Sequence, residues 1–560
     1  MSLREAHASR TQRQHRLRRV VDRAAALVIA LALTACASGR IRKENERALA
    51  AADAKILEGC YQCLQDARAT YARLATGKQA LPKNAPSMRV RLFETDVLLA
   101  LRAKELGLDP RPAVAEARDL APRLPASFEP GRVLTMVDAV LPDSRARSIA
   151  AIEAQMRRDR AYVAGMDSDL AWVERSPLAP AVRKYVALAL DCSYPDRYKA
   201  RGDTTNPLAR RRELPINAPP LLTYRGADCA ENDTLALKRV LNAAPSFDEA
   251  AYALGNTVVW SAGETGGEDA ARYFGRALAR FPRAAGIAFM SGWLDLTIGD
   301  CVEAVRFYDS TLALEPVHER ALLQKAICQS NMHQDSAAIA TATRFIALGP
   351  SDIAQGYYWR AVSRLRRREL DLARSDAEAA KARSRGSEIL TIAGIVEHEQ
   401  EDYVPAEADL RGARAAPKGE ENCHAAFYLG SVLTKRQAWA EVAASYDSAM
   451  VCYDDRASFI EAKIEQVRAG RRGSPEFKAK RIASLESDLA DRRSRQRTSA
   501  FNAASMNARL GNFARAEELL VVAIQSPELT DQVAKLREEL ARASATAPAS
   551  RGRPVPRSRN

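Results

Sequence analysis

The sequence predicts an all-α fold, an α-solenoid of antiparallel helix pairs with a degenerate helical amino-terminal half. Three observations carry this expectation. Aromatics make up only 6% of the 560 residues while alanine is very frequent, which suits closely packed helices better than sheets. The stretch Cys301–Leu312 matches Trp439–Met450, sharing Tyr-Asp-Ser at Tyr308 and Tyr446, at an offset of 138 residues or four units of about 34.5. Further segments fall at the same spacing between and beyond these two. At 47% apolar and 28% charged the chain is neither disordered nor collagen-like. No apolar run reaches the roughly 20 residues that span a bilayer, so it is not a polytopic membrane protein.

Seven candidate units lie in near register over 248–528. The first has Leu254-Gly255, Ala270, Phe274, Ala277 and Pro282; the second Gly292, Ala304, Tyr308, Thr311 and Pro316. The third ends at Pro350, with Ala338 at its small position, and the fourth has Ala361, Ala373, Ala377 and Ala380. Gly394 with Ala406, Leu410 and Ala413 marks the fifth, and Gly430 with Val442, Tyr446 and Ala449 the sixth. After a charged interruption at 468–497 the last has Gly511, Ala516, Leu520, Ala523 and Pro527. Small residues where two helices cross, a large one between units and a closing Pro resemble the tetratricopeptide repeat (TPR), a helix-turn-helix of 34 residues. That resemblance implies a right-handed TPR superhelix, because a helical pair with two apolar stripes buries both only by stacking on neighbours. Residues 529–543 suit a capping helix, with Val533, Leu536 and Leu540 on one side, and 544–560 have the composition of a disordered basic tail.

Residues 1–35 read as an address. Seven arginines precede the 12-residue apolar run Ala24–Ala35, which ends Leu33-Thr34-Ala35 and leads directly into Cys36. This resembles the bacterial lipobox, which implies a signal peptide cleaved after Ala35 and a covalent lipid on Cys36, with no other cofactor. Ala37 resembles outer-membrane sorting, so the expected location is the outer membrane, lipid-anchored, on its periplasmic face. The net charge of +14 divides accordingly: residues 1–35 carry +5, residues 551–560 carry +4, and the body keeps +5. Most basicity is therefore signal and tail, not a nucleic-acid footprint.

Residues 36–191 are expected to form a helical, TPR-like region, with a divergent unit at 42–76. A Pro- and Arg-rich stretch, 192–229, is expected to be a long loop, and the repeats proper occupy 230–528. The eight cysteines left after Cys36 form four neighbouring pairs, an arrangement that suits an exported protein. Cys192 and Cys229 flank the loop, and a bridge that closes it is expected, with two separately buried thiols as the alternative. In repeat register Cys423 begins one helix and Cys452 ends its antiparallel partner, so a bridge is expected. Cys301, at the start of one second helix, and Cys328, within the following first helix, fall on stacked helices and are candidates for a bridge. Cys60 and Cys63 form a CxxC at a helix start. A short structural disulfide is the simplest reading; Leu64 stands where haem attachment needs His, and no second ligand pair suits zinc.

No GxSxG, HExxH, Walker loop or GxGxxG motif occurs, so no catalytic residue is expected. The TPR resemblance implies instead a concave groove lined by the first helix of each pair. By register its residues are Phe289, Trp293, Arg320, Asn331, Tyr358, Glu388, His398, His424, Phe427 and Lys435. Aromatics with both charge signs suit a protein ligand, not single-stranded nucleic acid, and point to no small-molecule substrate or metal. The expected function is a scaffold for envelope protein partners, held to the membrane by its lipid. An accessory subunit or degenerate enzyme of envelope polysaccharide or peptidoglycan metabolism, and a thiol oxidoreductase acting through the CxxC, are the alternatives.

Overall fold

Helices rich in alanine, many of them ended by a left-handed residue or followed by a proline, make up the computed structural model of the chain. It describes residues 39–76, 85–106, 108–141, 166–193, 214–215, 217–229, 233–261, 267–470 and 474–546, and among them no strand occurs. Cys36, the signal segment and the far carboxyl tail lie outside the described residues. Among those described, no helix is long and apolar enough to cross a membrane. The chain divides into two compact units, one running to Ala253 and the other beginning at Leu254.

The first unit holds α1 (39–58), α2 (Tyr61–Thr76), α3 (Ala85–Glu105), α4 (Arg111–Leu120), α5 (Pro130–Val140), α6 (166–175), α7 (Pro180–Ser193), α8 (Pro220–Cys229) and α9 (Thr234–Ala243). Helices α1 and α2 turn at Gly59, whose φ of 77° only glycine adopts freely. They pack through Ala52, Ala67, Tyr71 and Leu74 against Met88 and Leu92 of α3. The main core joins Phe93 and Val97 of α3 to Tyr185 and Leu190 of α7 and Leu221 of α8. Fully buried Arg102 pins the unit: it pairs with Glu105 at 2.5 Å and Glu249 at 2.9 Å, and lies 4.1 Å from the Tyr224 ring centre. Burying a guanidinium is costly unless its charge is matched, and here two carboxylates match it. The expected loop at 192–229 is shorter than its proline content implies. Residues 220–229 are helical, because Pro220 sits where a helix needs no N–H and Leu221, Leu222 and Tyr224 are buried.

The second unit is a TPR array of seven helix pairs. They begin with α10 (Asp248–Ser261), within which the unit starts, and α11 (Gly267–Arg280). Next come α12 (Ala285–Ile298) with α13 (Cys301–Leu314), α14 (Glu319–Asn331) with α15 (Asp335–Ala347), and α16 (Ile353–Arg366) with α17 (Leu370–Lys381). Then follow α18 (Ser387–Glu399) with α19 (Tyr403–Ala415), α20 (Cys423–Lys435) with α21 (Trp439–Ala469), and α22 (Pro475–Arg509) with α23 (Phe513–Ala523). Helix α24 (Thr530–Thr546) caps the end, burying Val533 and Leu540. From α11 onward each helix packs on its neighbours in sequence, and the first helices from α12 to α20 also meet.

Two features recur at the repeat spacing. From the second pair onward the turn carries a residue of positive φ: Gly299, His333, Arg368, Glu401, Gln437 and Gly511. The helices then cross at a point with no room for a side chain. A Cβ on Gly292 would lie 2.9 Å from the Tyr308 ring and 3.0 Å from the Ala304 carbonyl oxygen, and one on Gly430 would lie 3.0 Å from the Tyr446 ring. The small–large pattern in the sequence is therefore the crossing of the two helices.

Two helices depart from the repeat. α21 has 31 residues and α22 has 35, against 12 to 14 in the pairs α12 to α19. The stretch read as a charged interruption is a helical arm made by prolonging one second helix and the next first helix. Its helices meet along Ile460, Ile464, Val467 and Leu485. Its tip docks on earlier pairs: the Ser474 N–H donates to Glu268, Phe477 fits over Gly267, and Lys480 pairs with Asp300.

Candidate peptide groove

The arm shapes the candidate cavity. First helices α16, α18 and α20 stand side by side, and the arm covers them, leaving a cavity of about 1010 Å³. The repeat side contributes Tyr358 and Val362, Glu388, Ile389 and Ile392, then Cys423, His424 and Tyr428. The arm contributes Arg456, Phe459, Ile460, Lys463, Leu485, Arg492 and Arg495. The walls are branched aliphatic and aromatic, and the charges stand among them.

Electrostatics follow from this mixture. His424 is pushed down to about 4, first by burial and then by the charges of Arg495 and Arg492, so its ring is neutral at pH 7. Its Nδ1 lies 3.1 Å from the Tyr453 hydroxyl. Burial likewise lifts Tyr358 to about 12, with Glu388 adding to the effect. Arg456 pairs with Glu421 at 2.7 Å, Arg495 with Asp491 at 3.0 Å and Arg492 with Asp488 at 3.2 Å.

Tyr358, Glu388 and His424, three of the ten register-derived groove residues, share this cavity. Phe289 does not line a groove. It is buried, stacked on His318 at 4.8 Å between ring centres, with the Arg320 guanidinium 4.9 Å from its ring. Phe427 packs edge-on against Tyr428 and Tyr446 inside the helix crossing. Phe289 is a correction, because a large ring near a crossing is drawn into the seam between pairs; Phe427 is half-buried. His398 is bonded to Ser431 at 2.9 Å between Tyr403 and Tyr428, Lys435 lies over Tyr403, and Trp293 is half-buried. Sequence reasoning missed the whole arm side. The signal available for it was spacing: 65 residues separate Tyr446 from Gly511, nearly twice a repeat, without a proline except at 475.

Cys60 and Cys63 are bridged, as are Cys423 and Cys452, with Cα atoms 4.9 and 5.4 Å apart. Cys192 is disulfide-bonded, and the side chain of Cys229 lies outside the described residues. Cys301 and Cys328 correct the expectation of a bridge. They are thiols in hydrogen-bond contact, and the Asn331 side chain also bonds Cys301. That contact draws the Cys301 thiol down and pushes Cys328 up. Among the described residues two clusters have the residue types of a metal site. Glu58 stands beside Cys60 and Cys63, whose bridged sulfurs are not thiolate ligands. Glu378, Glu397 and Asp409 surround Lys381, whose ammonium lies 2.6 Å from Glu378 and 2.7 Å from Asp409 and fills the place an ion would take. Burial, then Asp409, lifts Glu397 to about 7 there.

No family model and no curated protein matches the chain. Solved structures do. YrrB, described as a TPR protein with an unusual peptide-binding site, is 14% identical over 34% of this chain and 98% of its own, with a TM-score of 0.28. PilW, described as a widely conserved type IV pilus biogenesis factor, is 18% identical over 41% of this chain and 92% of its own, at 0.30. A tetratricopeptide repeat protein from Parabacteroides merdae is 12% identical over 54% and 99%, at 0.33. The repeat character of the second unit rests on its own helix pairs, turns and crossings.

Proposed function

We propose that the chain is a lipid-anchored TPR scaffold on the periplasmic face of the outer membrane, and that it holds a segment of an envelope protein in the arm-covered groove. The groove itself carries the reading: three consecutive first helices present apolar and polar side chains to one cavity, and the chain's own arm closes over it. Ligand sites share a large concave cleft with converging polar groups, and here charged and apolar side chains line the cleft together. The order of basic stretch, apolar run and Leu33-Thr34-Ala35-Cys36 supports the anchor.

Two measurements test this. Growth with a fatty-acid probe is expected to label the mature chain, with labelling lost in Cys36→Ala; an unlabelled, soluble wild type would refute the anchor. A photo-crosslinker placed at Tyr358 or His424 is expected to capture a protein in intact envelopes, while one at Val404, an exposed position on α19, captures none. The reverse pattern would refute the groove.

A further inference from the structure

We propose that Cys301 and Cys328 form a reactive dithiol that exchanges with a low-molecular-weight disulfide, Cys301 attacking and Cys328 resolving. Neither residue lines the groove, so the site does not rest on the groove reading. Among the described residues these are the two free thiols, whereas Cys60 and Cys63, Cys423 and Cys452, and Cys192 are disulfide-bonded.

The geometry gives the two sulfurs different tasks. Cys301 opens α13, and Cys328 lies in α14, the next helix of the stack. Cys328 is buried in the core that joins Phe289, Tyr308 and Leu322, and half-buried Cys301 packs against that core. The two side chains are in hydrogen-bond contact. One thiol is therefore reached from outside, and the other meets only the first. An attacking thiol and its resolving partner need this arrangement. Cys301 also stands one residue from Asp300, which the arm's Lys480 holds, so a slim molecule meets its sulfur more readily than a folded protein does.

The surroundings favour a thiolate on Cys301. As the first residue of α13 it lies among the free N–H groups of a helix start, which stabilise negative sulfur. The Cys328 hydrogen bond, then that of Asn331, draws the Cys301 thiol down against burial and the Asp300 charge. That charge is largely engaged elsewhere, because Asp300 accepts the Glu303 N–H as helix cap and pairs with Lys480. Asp295 of α12 is lifted by burial to about 7 and carries only part of its charge at neutral pH. Cys328 is pushed up by the same hydrogen bond and keeps its proton until Cys301 has reacted. The Tyr308 hydroxyl, within electrostatic reach of both sulfurs, is buried without a hydrogen-bond partner among the described residues, a spare donor for a thiolate.

The exchange balances in two steps. The Cys301 thiolate attacks one sulfur of R–S–S–R, forms a mixed disulfide and expels RS⁻, which takes up the proton that Cys301 has released. The Cys328 sulfur then attacks Cys301 Sγ. The bond from Cys301 to SR breaks, and the second RS⁻ leaves with the proton of Cys328. Two protein thiols are oxidised to one disulfide, and R–S–S–R is reduced to two RSH. The new bond ties α13 to α14, and so the second helix pair to the third.

The test uses the full lipidated chain in detergent, treated with dithiothreitol under native conditions and freed of it. The chain is exposed to about 1 mM glutathione disulfide at neutral pH, alkylated and mapped by mass spectrometry. Wild type is expected to join Cys301 to Cys328 and to retain no glutathione on either. Cys328→Ala is expected to hold glutathione on Cys301. Cys301→Ala is expected to take up about tenfold less on Cys328, whose sulfur is buried. Wild type that forms no Cys301–Cys328 bond would overturn the proposal. So would glutathione held on Cys328 in preference to Cys301, or a Cys301–Cys328 bond that dithiothreitol leaves intact in the native chain, which would be a permanent bridge. The wild-type measurement needs no substitution and decides the matter even where a variant fails to fold.

Discussion

The regular repeats and the arm are built from the same chain by opposite means. From α12 to α19, helices of about 13 residues interlock through glycine or alanine set against a single large side chain, as at Gly292 and Tyr308. The arm has no such crossing. Its two helices touch along a thin stripe of Ile460, Ile464, Val467 and Leu485, and its outer faces carry exposed ion pairs such as Arg468 with Glu486. Close packing makes the repeats rigid, whereas a thin stripe and exposed pairs make the arm the less stable layer. The groove lies between the two, with its apolar floor on the rigid layer and most of its cations on the looser one.

Substitutions in each layer break or sharpen this contrast. The largest effect is expected where the layers are joined by a covalent bond. Cys423→Ser with Cys452→Ser opens a 29-residue separation and should lower stability by about 3–4 kcal/mol, read from the urea midpoint. Next, Gly292→Leu forces a side chain into the Tyr308 ring and the Ala304 carbonyl and should cost about 1–3 kcal/mol or more. Ala483→Leu, on an exposed face of the arm, should change stability by less than about 0.5 kcal/mol in the same urea titrations. Equal losses at the two sites would erase the distinction between layers. Smaller and opposite in sign are Glu401→Gly and Gln437→Gly, each relieving a left-handed turn and stabilising by about 0.5–1 kcal/mol. Smallest is Arg468→Ala, expected to move the midpoint by less than about 0.5 kcal/mol.

The groove itself gives a pH signature. His424 is neutral in the folded chain down to about 4, whereas an unfolded histidine takes up its proton near 6.5. The unfolded state therefore binds more protons between those values, and the stability contributed by the neutral ring is complete above about 6.5 and lost as pH falls toward 4. Comparison with His424→Gln isolates this from Glu397 and Asp295, which burial pushes up to about 7 and which act in the opposite direction. The advantage of wild type over the variant should shrink on acidification; a constant difference would mean that burial does not hold the ring neutral.

Much of the repeat architecture is legible in the amino-acid sequence. Gly255, Gly292, Gly394 and Gly430 with their large partners announce the pairs, because a helix crossing leaves a trace in local spacing. Cys423 and Cys452 can be matched because antiparallel helices bring those ends together. The helix at 220–229 is hidden because proline marks both loops and the first turn of helices. The arm is hidden because its surface is densely charged and its apolar stripe is thin.

The linear chain by itself determined the helical class, the repeat period and the turns, since each depends on residues within one unit of about 34. It also determined the motif at Cys36 that motivates the anchor. Only the tertiary structure decided which large side chains seal the core and which face a cavity. Phe289 and Tyr358 look alike in register, yet one is buried beneath a histidine and the other borders the groove. Only the tertiary structure showed that residues more than 100 apart in sequence, Tyr358 and Arg492, line the same space. The physical reason is range: periodicity records contacts within a turn or a pair, whereas a long arm reaching back over earlier repeats leaves no local pattern to read.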